Sequence, residues 1–274
     1  MERPSPLPVR QPAVDGLFYP ADPDELTRTV ADLLAAARTR RPADPITTAP
    51  KALVAPHAGY VYSGPTAALA YAQLALASTP ITRVVLLGPV HRVPIRGLAL
   101  PGARAFATPL GEMPVDVDAA RALARLPHVE VNAAAHALEH SLEVHVPFLQ
   151  AVVPGAALVP LAVGDATPAQ VAAVIDAAWG GPETLVVVSS DLSHYLTYEE
   201  ARAVDAETLA RVLALEAPVG YRRACGAAPL DGLLVAARSH GLTPHLLEAC
   251  SSGDTAGDRH RVVGYAAVAL TSEP

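Results

Sequence analysis

Short apolar runs alternate with stretches of helical periodicity along most of this chain. "KALVAPH" is an apolar run of strand length, "PTAALAYAQLALA" is the next helix with Pro65 suited to its first turn, and "RVVLLGPVH" is a second strand. That order is a βαβ unit, which pairs its strands in parallel and lays helices on the sheet. The alternation continues with the strands "AALVPLAV" and "TLVVVSSDLSH" and the helix "PAQVAAVIDAAW" between them. "TYEEARAVDAETLARVLAL" and "APLDGLLVAARSHG" are helices, the second closed by Gly241, and "TPHLLEACSSGD" and "RVVGYAAVAL" are the last two strands. Upstream, "DPDELTRTVADLLAAAR" is a helix capped by Asp22 or Asp24, with apolar positions at helical spacing through Leu34. "EHSLEVHVPFLQAVV" enters a helix through a polar turn, because Pro147 is tolerated only in a first turn, and His140 and Glu143 fall in the lead-in. The pattern predicts an α/β fold, with residues 1–274 forming a single domain.

Composition narrows the class. With 51% apolar and 17% charged residues, the chain is suited to a compact core rather than to disorder. A net charge of −7 without clustered cations argues against a nucleic-acid partner. The N-terminus lacks the apolar segment of a signal peptide, and no later run reaches the length of a membrane span, so a cytoplasmic protein is expected. Cys225 and Cys250 are the only cysteines, too few for a disulfide framework. Ten histidines against one lysine, Lys51, direct attention to imidazole chemistry.

Ligands of open α/β sheets bind beyond the carboxyl ends of the strands. Four strand exits deliver chemistry here: His57, His91, Asp191 with His194, and Cys250. Two imidazoles and one anionic donor make a set that holds a transition metal with positions left open. His57 and His91 supply the pair, and Cys250, followed by the polar turn "SSGD", the thiolate. Asp191 either holds His194 in one tautomer for general-base work or caps the turn after its strand. Cys225, ahead of an apolar helix, is expected to be a small buried hydrophobe. "EHSLEVHV" does not match the His-Glu-x-x-His pattern of metalloproteases. One of His140 and His145 is expected to line the same pocket, or Glu143 to orient a ligand, with buried hydrogen-bonded structure as the favoured alternative, and His128, His136, His240, His245 and His260 are expected to lie at the surface or in loops. A metal-free alternative makes Cys250 a nucleophile with His194 as its base.

"DGLFYPADPDEL", "APHAGYVYSG", "LLGPVH", "EHSLEVHVPFL", "SSDLSHY" and "CSSGD", in this order from Pro12 to Leu270, resemble the Memo-like family, which includes protein B of the AmmeMemoRadiSam system. The resemblance implies a three-layer αβα fold like that of class III extradiol dioxygenases, with a central mixed, largely parallel sheet. It implies a metal at positions matching His57, His91 and Cys250, with Asp191 and His194 beside it, and iron or copper as the ion. Extradiol enzymes present a glutamate where this chain is expected to present a thiol, and that soft donor favours copper(I), zinc or a less labile iron site. The implied activity is that of a dioxygenase-like oxidoreductase on a small substrate, or else of a non-enzymatic metal carrier or scaffold. The system's name implies radical-SAM and AMMECR-like partners.

Overall fold

The computed structural model describes residues 7–272. In chain order its first elements are β1 (Val9–Arg10), α1 (Pro23–Thr39), β2 (Ala52–Ala55), α2 (Tyr60–Ala72), β3 (Arg83–Pro89), β4 (Leu98–Leu100), β5 (Ala105–Thr108) and β6 (Gly111–Pro114). There follow α3 (Val117–Leu123), β7 (Val129–Val131), α4 (Ala133–Ala137), α5 (Val146–Val152), β8 (Ala157–Val163), α6 (Pro168–Ala177) and β9 (Thr184–Ser189). The chain closes with β10 (His194–Leu196), α7 (Tyr198–Leu213), α8 (Ala227–Ser239), β11 (Leu242–Ser251) and β12 (Val262–Ser272).

A nine-stranded sheet runs in the order β10-β12-β2-β9-β3-β8-β4-β7, with β11 also paired to β12. The centre, β2-β9-β3-β8, is parallel, as the βαβ pattern requires. The flanks turn antiparallel at β12 against β2 and at β4 against β8, so the sheet is mixed. A small sheet of β1, β5 and β6 lies apart.

The central strands β2, β3, β8 and β9 are buried on both sides, which is why they read as unbroken apolar runs. Their alternation divides the core in two. Leu53, Val84, Leu86 and Val187 pack with Leu26 and Val30 of α1, Leu69 and Tyr71 of α2 and Phe148 of α5. Val54, Val85, Leu87 and Val188 pack with Val171 and Ile175 of α6 and Leu230, Leu233 and Leu234 of α8. The result is three layers, helices on either side of the sheet.

Caps agree with the chain's signals. Asp22 receives the Glu25 amide at 2.8 Å, Thr197 and Glu200 form a capping box on α7, and Gly241 takes φ 65° after α8. One helix departs from expectation: α2 begins at Tyr60 and carries Pro65 inside it. Gly59 is its N-cap, and the Tyr60 ring anchors the first turn through the Val144 carbonyl at 2.7 Å and the rings of Tyr19 and Phe148. No helix among the described residues is long and apolar enough to cross a membrane.

Candidate metal centre

The parallel strands end on one side of the sheet, and there β2 delivers His57, β3 delivers His91 and β9 delivers Asp191. His57 is 2% exposed. Its Nδ1 lies 2.6 Å from Ser189 Oγ, and that hydroxyl donates its own hydrogen to the Ser141 carbonyl at 2.6 Å. Ser189 Oγ therefore accepts from His57, which leaves the Nε2 lone pair free, and Nε2 lies 3.2 Å from Cys225 Sγ. Burial, reinforced by the neighbouring imidazoles, holds the His57 pKa well below its ordinary value. The ring is neutral, as a ligand must be.

His91 is oriented in the same way by a carboxylate. Its Nδ1–H donates to Glu139 Oε1 at 2.8 Å, so its Nε2 also faces outward as an acceptor. Glu139 further receives the amides of His91 at 2.5 Å and of His140 and Ser141 at 2.9 Å. Burial alone would raise this carboxyl, but the His91 ring and the amides overcome it and bring the pKa down to about 2. The His140 ring stacks on His91 with centroids 4.6 Å apart. Its pKa is lowered to about 4, chiefly by burial.

Cys225 precedes α8, and Gly226 after it makes the approach possible: a Cβ there would meet the Ser189 carbonyl oxygen at 2.5 Å and Ser190 Cβ at 2.6 Å. The Gly226 amide donates to Ser190 Oγ at 3.1 Å and fixes the turn against the end of β9. Burial raises the Cys225 thiol far above its ordinary pKa in the metal-free protein. Asp191, 4% exposed, accepts the His57 amide at 2.8 Å, and burial pushes its carboxyl up to about 7. His194 donates Nδ1–H to the Leu192 carbonyl at 2.8 Å, and burial lowers its pKa. Its tautomer is set by a peptide carbonyl and not by Asp191.

Three overlapping groups of donor atoms, each with all members within 4.8 Å of one another, result: His57, His91 and Cys225; His91, Glu139 and His140; and Asp191, His194 and Cys225. All of these residues except Glu139 line one open cleft of about 1140 Å³. The donor set fits a transition metal, with two imidazoles aimed by hydrogen bonds and a thiol beside them.

Cys250, expected as the third ligand, is not in this cluster. It lies on β11, one strand beyond β12 and so two removed from β2, with Sγ 3.1 Å from Thr66 Oγ1, and it faces a separate cavity with Tyr198, Arg202 and Asp205. The metal-free pairing of Cys250 with His194 is overturned by the same displacement. Cys225 holds the expected place. The signal was its position just before a helix, where the helix dipole favours a thiolate as much as packing favours a hydrophobe.

His140 lines the cleft, and Glu143 takes the buried, hydrogen-bonded place that is the favoured alternative for it. Its carboxylate is wholly buried and is filled by Arg10, the amides of Ala13 and Val14, and Tyr19 Oη at 2.5 Å. Arg10 also donates to the carbonyls of His136 and Glu139, so the N-terminal segment clamps the loop that carries Glu139. His136, expected at the surface, is 1% exposed beneath that clamp and donates to the Ala99 carbonyl at 2.8 Å.

These features define an α/β protein with a histidine and thiol cluster at the exits of a parallel sheet. The chain belongs to the Memo family: the family described as Memo-like protein matches residues 10–269. It is similar to a MEMO1 family protein of Methanopyrus kandleri, 38% identical over 94% of this chain and 98% of the relative. Comparable similarity extends to MEMO1 family proteins of Methanothermobacter thermautotrophicus, 35% identical over 94% and 99%, and of Aquifex aeolicus, 34% identical over 94% and 97%.

Proposed function

We propose that this Memo-family chain is a metal-dependent, dioxygenase-like oxidoreductase that holds iron or copper through His57, His91 and Cys225 and acts on a small molecule in the adjoining cleft. The observation that carries the reading is the convergence of these three donors within 4.8 Å, with the Nδ1 of each imidazole already occupied by Ser189 or Glu139. A bound ion would supply the redox and Lewis-acid chemistry that these side chains lack.

The chain's own residues have separate tasks. Ser189 and Glu139 keep both Nε2 atoms in their acceptor state, and the burial of His57 keeps protons from competing for that nitrogen. His194 Nε2, free because Nδ1–H is committed to Leu192, accepts a proton from a hydroxyl of the substrate. Asp191, near 7, holds or releases a proton beside it while its Oδ1 anchors the His57 amide.

The thiol in place of a hard carboxylate donor favours a second reading, a copper(I) or zinc carrier, or a scaffold for radical-SAM and AMMECR-like proteins. In either case we place the protein in the cytoplasm, where unpaired thiols persist. Elemental analysis of protein purified without added ions, set beside Cys225→Ala and His57→Ala, tests the centre: about one ion per chain in the parent and a loss in both variants is expected, and unchanged content in both rejects it. Oxygen uptake by iron-loaded protein with a panel of hydroxylated aromatics separates oxidoreductase from carrier.

A further inference from the structure

The cleft is far larger than an ion and its waters require, and its volume is of the order found around small organic ligands. Its walls carry three guanidiniums from distant parts of the chain: Arg92 directly after His91, Arg222 three residues before Cys225, and Arg261 just ahead of β12. Among the described residues none of the three side chains is in an ion pair, whereas Arg10, Arg83, Arg104 and Arg223 each have a carboxylate partner. Asp258 is the acid beside Arg261, and one of its oxygens already accepts the amides of His260 and Arg261. Asp191, the cleft's other acid, is engaged through Oδ1 by the His57 amide, so three guanidiniums face two carboxylates. A surplus of positive charge therefore gathers at this one place in a chain of net charge −7.

The arrangement is partly pre-set. The Arg261 guanidinium lies 4.9 Å from the centroid of the Tyr195 ring. Tyr195 takes φ 60°, a left-handed conformation that a tyrosine adopts at a cost, and presents a side chain 64% exposed.

We propose that the cleft selects a small organic carboxylate, whose acid group is received by the guanidiniums of Arg92, Arg222 and Arg261 while its other end reaches toward His57, His91 and Cys225. Only the far end of this placement rests on the metal-centre reading. The donors distinguish carboxylate from phosphate. Phosphate cradles draw on free peptide N–H groups, and here those at the strand exits are taken: His57 by Asp191, His91 by Glu139 and Gly226 by Ser190. Planar forks that match a carboxylate are what remain. Phe18, Tyr62 and Tyr221 also line the cleft and suit an acid built on a ring.

The test uses the whole chain, metal-free and metal-loaded, with para-hydroxybenzoate, its neutral counterpart para-hydroxybenzamide, and phenyl phosphate, their binding read by ligand-observed NMR titration. The acid is expected to bind about tenfold more tightly than the amide, with a preference that shrinks as salt rises. Arg92→Gln, Arg222→Gln and Arg261→Gln are each expected to weaken the acid about fivefold and to leave the amide unchanged. Elemental analysis of each variant is expected to show the parent's metal content, and Cys225→Ala, measured metal-free, to keep the preference for the acid. A failed metal centre and a failed anion site therefore give different results. Equal binding of acid and amide, or no saturable binding of the acid at millimolar concentration, overturns the proposal, and tighter, arginine-dependent binding of phenyl phosphate overturns its assignment to a carboxylate.

Discussion

Cys225 Sγ lies 3.2 Å from Nε2 of His57, a ring whose other nitrogen is held at 2.6 Å by the Ser189 hydroxyl. The two cysteines are thereby given different fates. Cys225→Ser is expected to lower bound metal to under about a tenth of the parent's content, because a hydroxyl is a poor substitute for a thiolate on a soft ion. Cys250→Ser is expected to keep the full content. Elemental analysis of the two proteins checks both, and a loss confined to Cys250→Ser would reverse the assignment.

Glu139 offers a test that leaves the ligands intact. In Glu139→Gln an amide oxygen in the Oε1 place can still accept from the His91 ring and the amides of His140 and Ser141, but the NH₂ group in the Oε2 place is set against the His91 backbone N–H. Metal affinity is expected to fall about 10- to 100-fold. Competition with a chelator of known affinity measures it, alongside circular dichroism to show that the fold is kept.

The pair of Arg10 and Glu143 is nearly dry, with side chains 5% and 0% exposed. Removing one partner strands the other's charge, so Glu143→Gln is expected to cost about 3–5 kcal/mol. Denaturant unfolding reads this as a lower midpoint. Arg10→Met is expected to act similarly and also to loosen the loop at Glu139, which it grips through that residue's carbonyl.

Acid should weaken the metal-free protein through its buried histidines. Burial brings His136 down to about 4 and His145 to about 3. Between the ordinary histidine value near 6.5 and those folded values, the unfolded chain binds protons that the native state refuses. The stability contributed by keeping these rings neutral is therefore complete above about pH 6.5 and is lost as pH falls. Urea midpoints between pH 6.5 and 5 are expected to decline, and His145→Phe to reduce the slope by up to about 1.4 kcal/mol per pH unit.

The parallel centre of the sheet was legible because its strands are buried on both faces and appear as unbroken apolar runs, and from it followed the placement of His57 and His91. The antiparallel return of β12 was not, since the same run of residues suits either direction. Two reversals make β11 run the same way as β2, so Cys250 does lie at a strand end on this side of the sheet, but it is two strands removed from β2 with its thiol against Thr66, while the candidate donor Cys225 lies in a loop between helices. Glu139 stands next to His140 in the sequence, but its role depends on how the loop curls to bring three amides onto one carboxylate. His136 is buried only because the N-terminal segment crosses over it. The arginines at 92, 222 and 261 show no clustering along the chain, and only the fold gathers them.

His57 and Cys225 stand 168 residues apart along the polypeptide. On the proposed reading, a chain still emerging from the ribosome offers an ion only two imidazoles until the segment just before α8 is out, after the parallel centre of the sheet but before β11 and β12. A fragment that stops short of Cys225 should be blind to metal however well its first half folds.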